Sequence, residues 1–431
     1  MISRLLLALM TLPTLLAPRL ALAETGTPDD CSGYSSGRTD FSEFVNTYLS
    51  ANNLPAPEKI DCFESRIGRI RFAHWQTTAP KKRGVVVHFN GRTEFIERNI
   101  WTYADLIRNG YEVWTLDWPG QGLSARKHPQ VGYIDDFDDY VAVAKQFVDT
   151  KVKPKAGDGM RILLAHSMGG QIAARYLLQE KENAPFEAAV MSSPLFALPK
   201  IQYEIYSPFL HFGNWIKAKF WPADACISAK SATPQWAPDF PNPCEALSTR
   251  IVEASVGKTP WAYSNDYSKL QATECMVEKS VILSRNADES PPLDLRVSCA
   301  TSRWTRAAVL STYDVIARRS SLTVPTLIMA AWNDQAVANI GQRRFCDWDN
   351  PNCCLKFVRA VRRGDAATAA DDDRSGFVDV AIGESDGADQ GLLARGVGHE
   401  LLIEREPVRA AFLERLYRFA EDPDPQRWCK K

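Results

Sequence analysis

Arg161-Ile162-Leu163-Leu164-Ala165-His166-Ser167-Met168-Gly169-Gly170 decides the fold. An apolar run with the signature of a buried strand ends at a serine flanked by small residues, and a helix-like segment starts directly after it. This is the sequence form of a nucleophile elbow, the sharp strand-to-helix turn that lifts a serine hydroxyl clear of the sheet. The turn is tight enough that the positions two before and two after the serine must be small, here Ala165 and Gly169. Gly170 is expected to let the helix start pack close to the strand. Ala165 stands where glycine is commoner, and the five-residue pattern taken alone also fits a surface turn.

Two residues downstream turn the pattern into chemistry. A serine hydroxyl is a weak nucleophile at neutral pH and needs a base, with an acid to orient that base. On this kind of scaffold the chain order is Ser, then Asp or Glu, then His. Val324 to Ala331 reads as a buried strand, and Asp334 follows at its end, where a parallel sheet delivers side chains to its active edge. His399 lies in the glycine-rich stretch Gly396-Val397-Gly398-His399-Glu400, ahead of a clear helix from Pro407 to Ala420. Singly, Asp334 reads as a helix cap and His399 as a solvated loop residue; in this order they read as a triad. Glu400 adjoins His399, and neighbouring loop residues rarely aim at one point, so Glu400 is expected to anchor the loop. The oxyanion needs two backbone N–H donors. Met168, directly after the serine, is one. Arg92, in the turn Asn90-Gly91-Arg92-Thr93-Glu94 after the strand Gly84 to Phe89, is the other. A further strand, Gly110 to Asp117, is closed by Trp118-Pro119-Gly120-Gln121-Gly122. Its two glycines lack the third glycine and the following helix of a dinucleotide site.

These pieces together resemble the bacterial lysophospholipase and monoacylglycerol lipase branch of the α/β-hydrolases. The resemblance lies in Asn90-Gly91-Arg92-x-Glu94, Leu116-Asp117-x-x-Gly120-Gln121-Gly122-x-Ser124-x-Arg126, Ala165-His166-Ser167-Met168-Gly169-Gly170 and His399-Glu400-Leu401-Leu402-x-Glu404. It covers the core from about residue 65 to 196 and again from about 322 to 420. It implies Ser167, Asp334 and His399 as triad, Met168 and Arg92 as oxyanion hole, and cleavage of single-chain acyl esters with no metal or organic cofactor. The chain departs from the pattern in three places. Asn90 replaces a histidine common before that glycine, Asp334 and His399 stand 65 positions apart, and the region between the two core blocks is long and poorly matched.

The ends and the cysteines speak to location. A short basic start, an apolar run from Leu5 to Leu16 broken by Pro13, and Ala21-Leu22-Ala23 describe a signal peptide over residues 1–23, cleaved after Ala23. The expected product is periplasmic or secreted. All ten cysteines fall beyond that point, an even count that implies disulfides. Cys353 and Cys354 are adjacent and should join different partners. No Cys-x-x-Cys pair exists and histidines are scarce, so a metal site is disfavoured. Formal net charge is −1, or −3 once Arg4 and Arg19 leave with the leader, and no basic stripe suggests nucleic acid.

Strands alternating with helical stretches predict a mostly parallel sheet with helices on both faces. The expected organisation is an N-terminal arm over 24–65, a first core block over 66–196, an inserted cap over 197–322, and a second core block over 323–431. The second block carries a surface insertion at about 344–391. Within the cap, Phe209, Phe212 and Trp215 belong to an aromatic run that either forms the cap's own core or lines an acyl-chain tunnel or lipid-facing surface. The expected substrate is a small-molecule or lipid ester, with transient contact to lipid aggregates and no stable protein partner. The rival readings are a short-chain carboxylesterase, a proline-releasing type of peptidase, an acyltransferase, and a non-catalytic binding protein on a hydrolase scaffold.

Overall fold

The computed structural model describes residues 36–128, 132–157, 159–198, 301–365, 376–382, 392–394 and 396–429, with scattered positions between 266 and 300. The expected leader, and the cap residues Phe209, Phe212 and Trp215, lie outside the described residues. No described helix is long and apolar enough to cross a membrane.

Among the described residues, nine strands form one sheet in the order β1-β2-β4-β3-β5-β6-β7-β8-β9. They are β1 (Lys59–Ser65), β2 (Gly68–Trp75), β3 (Gly84–Phe89), β4 (Tyr111–Leu116), β5 (Met160–His166), β6 (Ala188–Ser192), β7 (Thr326–Ala331), β8 (Cys353–Arg362) and β9 (Phe377–Ile382). β1, β2 and β4 pair antiparallel, and every pairing from β4 through β3 to β9 is parallel. The helices are α1 (Ser36–Ala51), α2 (Ile100–Arg108), α3 (Phe137–Phe147), α4 (Met168–Glu180), α5 (Ser302–Arg318), α6 (Asn339–Phe345), α7 (Glu406–Glu421) and α8 (Pro425–Trp428). This is the α/β-hydrolase fold.

The central strands β3, β5, β6 and β7 owe their mostly apolar character to burial on both faces. Side chains alternate across a strand, so Val85, Val87 and Phe89 of β3 join one core while Val86 joins the other. Leu163 and Ala165 of β5, against Ile162 and Leu164, repeat the division. The first core takes α3, α4 and α5, and the second takes α1, α2 and α7, so helices cover both sides of the sheet.

Two boundary expectations need correction. The stretch from 24 to 65 is more than an arm, because β1 is an edge strand of the main sheet and Phe41, Val45 and Leu49 of α1 pack into its core. The insertion expected at 344–391 contains β8 and β9, which extend the parallel sheet past β7. Their sequences, CCLKFVRAVR and FVDVAI, mix charges among apolar residues, and Arg359 of β8 pairs with Asp379 of β9 across the two strands. The adjacent cysteines do join different partners: Cys353 pairs with Cys346 and Cys354 with Cys429, at Cα separations of 5.0 and 5.5 Å.

The Cys354–Cys429 pair spans 75 positions and fastens the C-terminal helices to β8. Closing a loop of that length removes unfolded-state entropy, so Cys429→Ser should cost about 2–4 kcal/mol in urea unfolding under oxidising conditions. An unchanged midpoint would mean that α8 is held by packing of Trp428 alone.

Candidate active site

Ser167 sits between β5 and α4 with φ of 50° and ψ of −117°, a left-handed geometry that a residue with a side chain adopts only under constraint. Three hydrogen bonds impose it. The Ser167 N–H donates to Ser192 O at 3.0 Å, and Ser167 O accepts from Gly170 N–H at 3.0 Å and Leu195 N–H at 2.9 Å. Gly169 is the residue that lets α4 begin here. A Cβ on it would lie 2.0 Å from Phe89 O and 2.5 Å from Asn90 O. The close approach to the neighbouring strand end, expected of Gly170, therefore belongs to Gly169, while Gly170 makes room for Pro194.

The turn after β3 lies against this elbow. A Cβ on Gly91 would stand 3.3 Å from Ser167 Cβ and 3.0 Å from the His166 ring. The Gly91 N–H donates to Glu94 Oε2 at 2.6 Å, and the Thr93 N–H donates to Gln121 Oε1. The Arg92 N–H lies between those two anchored groups. Met168 begins α4, where the first N–H groups have no partner within the helix. The two sequence-predicted oxyanion donors thus come from segments in contact. Asp117 braces the turn from the far side: its carboxylate accepts the Ile96 and Leu123 N–H groups at 2.9 and 2.8 Å and pairs with buried Arg71 at 3.1 Å. Gly122, with φ of 52°, leaves the space this carboxylate fills, since a Cβ there would sit 2.1 Å from it.

Asp334 and His399 meet although 65 positions separate them. Asp334 Oδ2 lies 2.7 Å from His399 Nδ1, and Asp334 Oδ1 accepts the Ala336 and Val337 N–H groups at 2.8 and 3.0 Å. One carboxylate oxygen is thus fixed by its own loop and the other faces the imidazole. Burial disfavours a charged His399, but the Asp334 charge and hydrogen bond, helped by Glu400 and Glu94, outweigh it and raise the pKa above the usual 6.5. The His399 ring lies 4.8 Å from that of His166, the residue before Ser167, so the histidine loop abuts the serine elbow. No hydrogen bond joins the Ser167 hydroxyl to His399 in this geometry; such bonds commonly tighten only in the substrate complex.

Near these groups lies a buried polar cluster in which sequence reasoning assigned a role only to Glu400. Arg98 Nη2 reaches both oxygens of Glu400 at 2.9 and 2.8 Å, which explains how Glu400 anchors the loop. Glu94 accepts from Gly91 and Asn99 and lies 3.6 Å from His166. Burial, then the charge of Glu400, raises the Glu94 pKa against the opposing pull of Arg98. His166 is held neutral, because burial and then the charge of His399 disfavour its protonation. Glu404 accepts the Gly398 and Arg405 N–H groups at 3.0 and 2.9 Å, closing the histidine loop on itself. Glu94, His166 and Glu400 bring donor atoms within 4.8 Å of one another, a spacing that could suit a cation. The guanidinium of Arg98 already supplies the positive charge there. Glu94, Glu400 and Glu404 were all present in the quoted motifs, but nothing local signals a partner as distant as Arg98 is from Glu400.

A family model described as "Serine aminopeptidase, S33" (Hydrolase_4) matches residues 80–358, more than half of the chain. The chain belongs to this family. The matched span of the Hydrolase_4 family includes Ser167 and Asp334 and ends before His399. Lysophospholipase L2 of Escherichia coli strain K12 is 23% identical over 337 residues, which is 78% of this chain and 79% of that protein. A probable lysophospholipase L2 of Haemophilus influenzae is 33% identical over 160 residues, covering 37% of this chain and 45% of that protein. Among solved structures, a soluble variant of monoglyceride lipase from Saccharomyces cerevisiae superimposes with a TM-score of 0.52 at 14% identity, covering 86% of this chain and 97% of that one. At that identity the likeness speaks to the fold alone.

The approach of Gly169 to β3 yields a test. Gly169→Ala should force α4 away from Phe89 O, costing about 1–3 kcal/mol of stability and displacing Ser167. Thermal unfolding together with serine-directed labelling checks this; native stability with native labelling would show that the elbow can relax.

Proposed function

We propose that this chain is a serine hydrolase of carboxylic esters, acting on single-chain acyl lipids of the lysophospholipid or monoacylglycerol type. The observation that carries the chemistry is the 2.7 Å Asp334–His399 contact, brought by its loop to the edge of a strained serine elbow. The substrate class is supported by the relatives named as lysophospholipases. Work in the periplasm or outside the cell fits the leader-like start and the two cysteine pairs at bonding distance.

In this mechanism His399 takes the proton of Ser167, whose oxygen attacks the ester carbonyl. Asp334 holds the imidazole in the required tautomer and stabilises the imidazolium. The N–H groups of Met168 and Arg92 receive the tetrahedral oxyanion; loss of one such donor typically costs about 100- to 1,000-fold in rate. His399 then protonates the leaving alcohol, and a water activated by the same histidine releases the fatty acid. The family's name favours a second reading, an aminopeptidase, which differs in the cap's pocket rather than in this machinery.

The deciding assay is fatty-acid release from lysophosphatidylcholine and monoacylglycerol, beside an aminoacyl anilide and short p-nitrophenyl esters. Long-chain release that disappears in Ser167→Ala supports the proposal, whereas turnover of the anilide alone would select the peptidase. The pH profile follows from His399, which must be neutral to act as base. Because its pKa is raised, kcat/KM should fall as pH drops through a midpoint above 6.5. Asp334→Asn removes the carboxylate charge, so the midpoint should move down while kcat falls on the order of 10⁴-fold. A profile unmoved by that substitution would remove Asp334 from the triad.

A further inference from the structure

The side chain of Arg92 is not used by the mechanism above, which needs only its backbone N–H. It reaches instead across the molecule to the segment that returns from the expected cap. Arg92 Nη2 donates to Cys299 O at 2.6 Å, and its guanidinium carbon lies 5.1 Å over the Trp304 ring. Both targets are buried, at 2% and 3% exposure, so these contacts are shielded from competing water. The return limb is set firmly where Arg92 grips it. Thr301 caps α5 by accepting the Trp304 N–H at 3.1 Å, and Val297 packs closely against Gly132, where a Cβ would meet Val297 Cγ1 at 3.0 Å. The arginine also passes alongside Gly132, 3.7 Å from where that Cβ would be.

A second tie converges from the other donor. Gln171, in the first turn of the helix that begins with Met168, donates to Ala308 O and Thr312 Oγ1 of α5, both at 2.8 Å. The incoming limb, after β6, is tied as well, since the Leu195 N–H bonds Ser167 O at 2.9 Å. Both limbs of the inserted region therefore bear on the serine elbow and its two flanking donors. The turn that holds Arg92 has reason to need this support, because Thr93 next to it is left-handed at φ of 67°.

We propose that the Arg92 side chain is a positioning residue, holding the oxyanion turn at its working distance from Ser167 by fastening it to the Cys299–Trp304 limb. The proposal rests on the serine-hydrolase reading above. It makes the donor's placement depend on the seating of the Cys299–Trp304 limb, so that this limb and the oxyanion hole are set together. A guanidinium is suited to the task because it donates in its plane to the carbonyl while presenting its flat face to the indole. An ammonium cannot match both contacts.

The test uses the whole secreted-form protein, with steady-state hydrolysis of p-nitrophenyl butyrate, the rate of fluorophosphonate labelling, and thermal unfolding as parallel readouts. Arg92→Ala keeps the backbone N–H and removes only the tie. It should lower kcat and the labelling rate about 10- to 100-fold, short of the loss expected for deleting a donor outright, with KM within about threefold. Added guanidinium ion at millimolar concentration should restore part of that rate. Arg92→Lys, which keeps the aliphatic stem and the charge, should recover no more than a few-fold relative to Arg92→Ala. A loss that merely follows reduced thermal stability, with no rescue by guanidinium, would overturn the positioning role, as would unchanged kcat in Arg92→Ala. Failure of the unsubstituted protein to label at all would overturn the serine-hydrolase reading itself, and this inference with it.

Discussion

The bond between Arg98 and Glu400 is the contact on which the arrangement of the active edge depends. It joins the segment after β3 to the histidine loop, 302 positions away, with both side chains almost wholly buried. Charges withdrawn from water are costly unless fully engaged, and removing one partner is more damaging than replacing both. Here the engagement is wide. Arg98 also approaches Glu94 at 3.9 Å, and Glu94 in turn holds Gly91 and Asn99 and lies beside His166. Two carboxylates thus face one guanidinium and a neutral imidazole, and burial with the charge of Glu400 pushes Glu94 towards protonation. Behind the larger effect of Asp334, Glu400 and Glu94 also favour a charged His399, the form the proposed general base would take on, so the cluster that ties these loops together bears on that charge as well.

The sheet was legible in the sequence wherever its strands are buried on both faces. Within Gly84 to Phe89, Met160 to His166 and Thr326 to Ala331, the runs Val85 to Val87, Ile162 to Ala165 and Leu327 to Ala331 are apolar and buried at every position. Legibility faded toward the edge. Cys353 to Arg362 mixes Lys356, Arg359 and Arg362 among its apolar residues, and Phe377 to Ile382 carries Asp379. Arg359 and Asp379 pair across the two strands at 2.6 Å, so their charges are cross-strand partners rather than marks of a surface loop. A period-two pattern interrupted by charges does not reveal that pairing until the neighbouring strand is known.

The site divides in the same way. Ser167 and Asp334 stood out because each follows a recognisable strand, and His399 because it sits in a glycine-rich stretch ahead of a clear helix. The supporting residues carried no such signal. Glu94, Arg98, Gln121 and Glu404 are ordinary polar residues by composition, and their roles arise from partners that only the fold brings near. The assignment of close packing to Gly170 instead of Gly169 has a similar origin. Two adjacent small residues cannot be told apart until it is known that one faces a backbone carbonyl and the other a proline ring.

Fold and chemistry constrain the substrate only in part, since one hydrolase core can serve esters or peptides according to what is built above it. Under the proposed function, specificity would be set by the chain between Ala197 and Thr301 and by how its described ends join the core. Among the described residues the joints are both apolar and polar: Met276, Val277 and Leu295 pack into the second core, while polar ties run from Leu195 N–H to Ser167 O, from Arg92 to Cys299 O, from Gln171 to α5 and from Lys269 to Glu404 O. The polar ties end on or beside groups that the proposed acyl transfer requires to be placed to within a fraction of an ångström. Under the proposed mechanism, breaking these ties would therefore disturb the groups placed for attack, which couples the joints of this region to the chemistry proposed at Ser167.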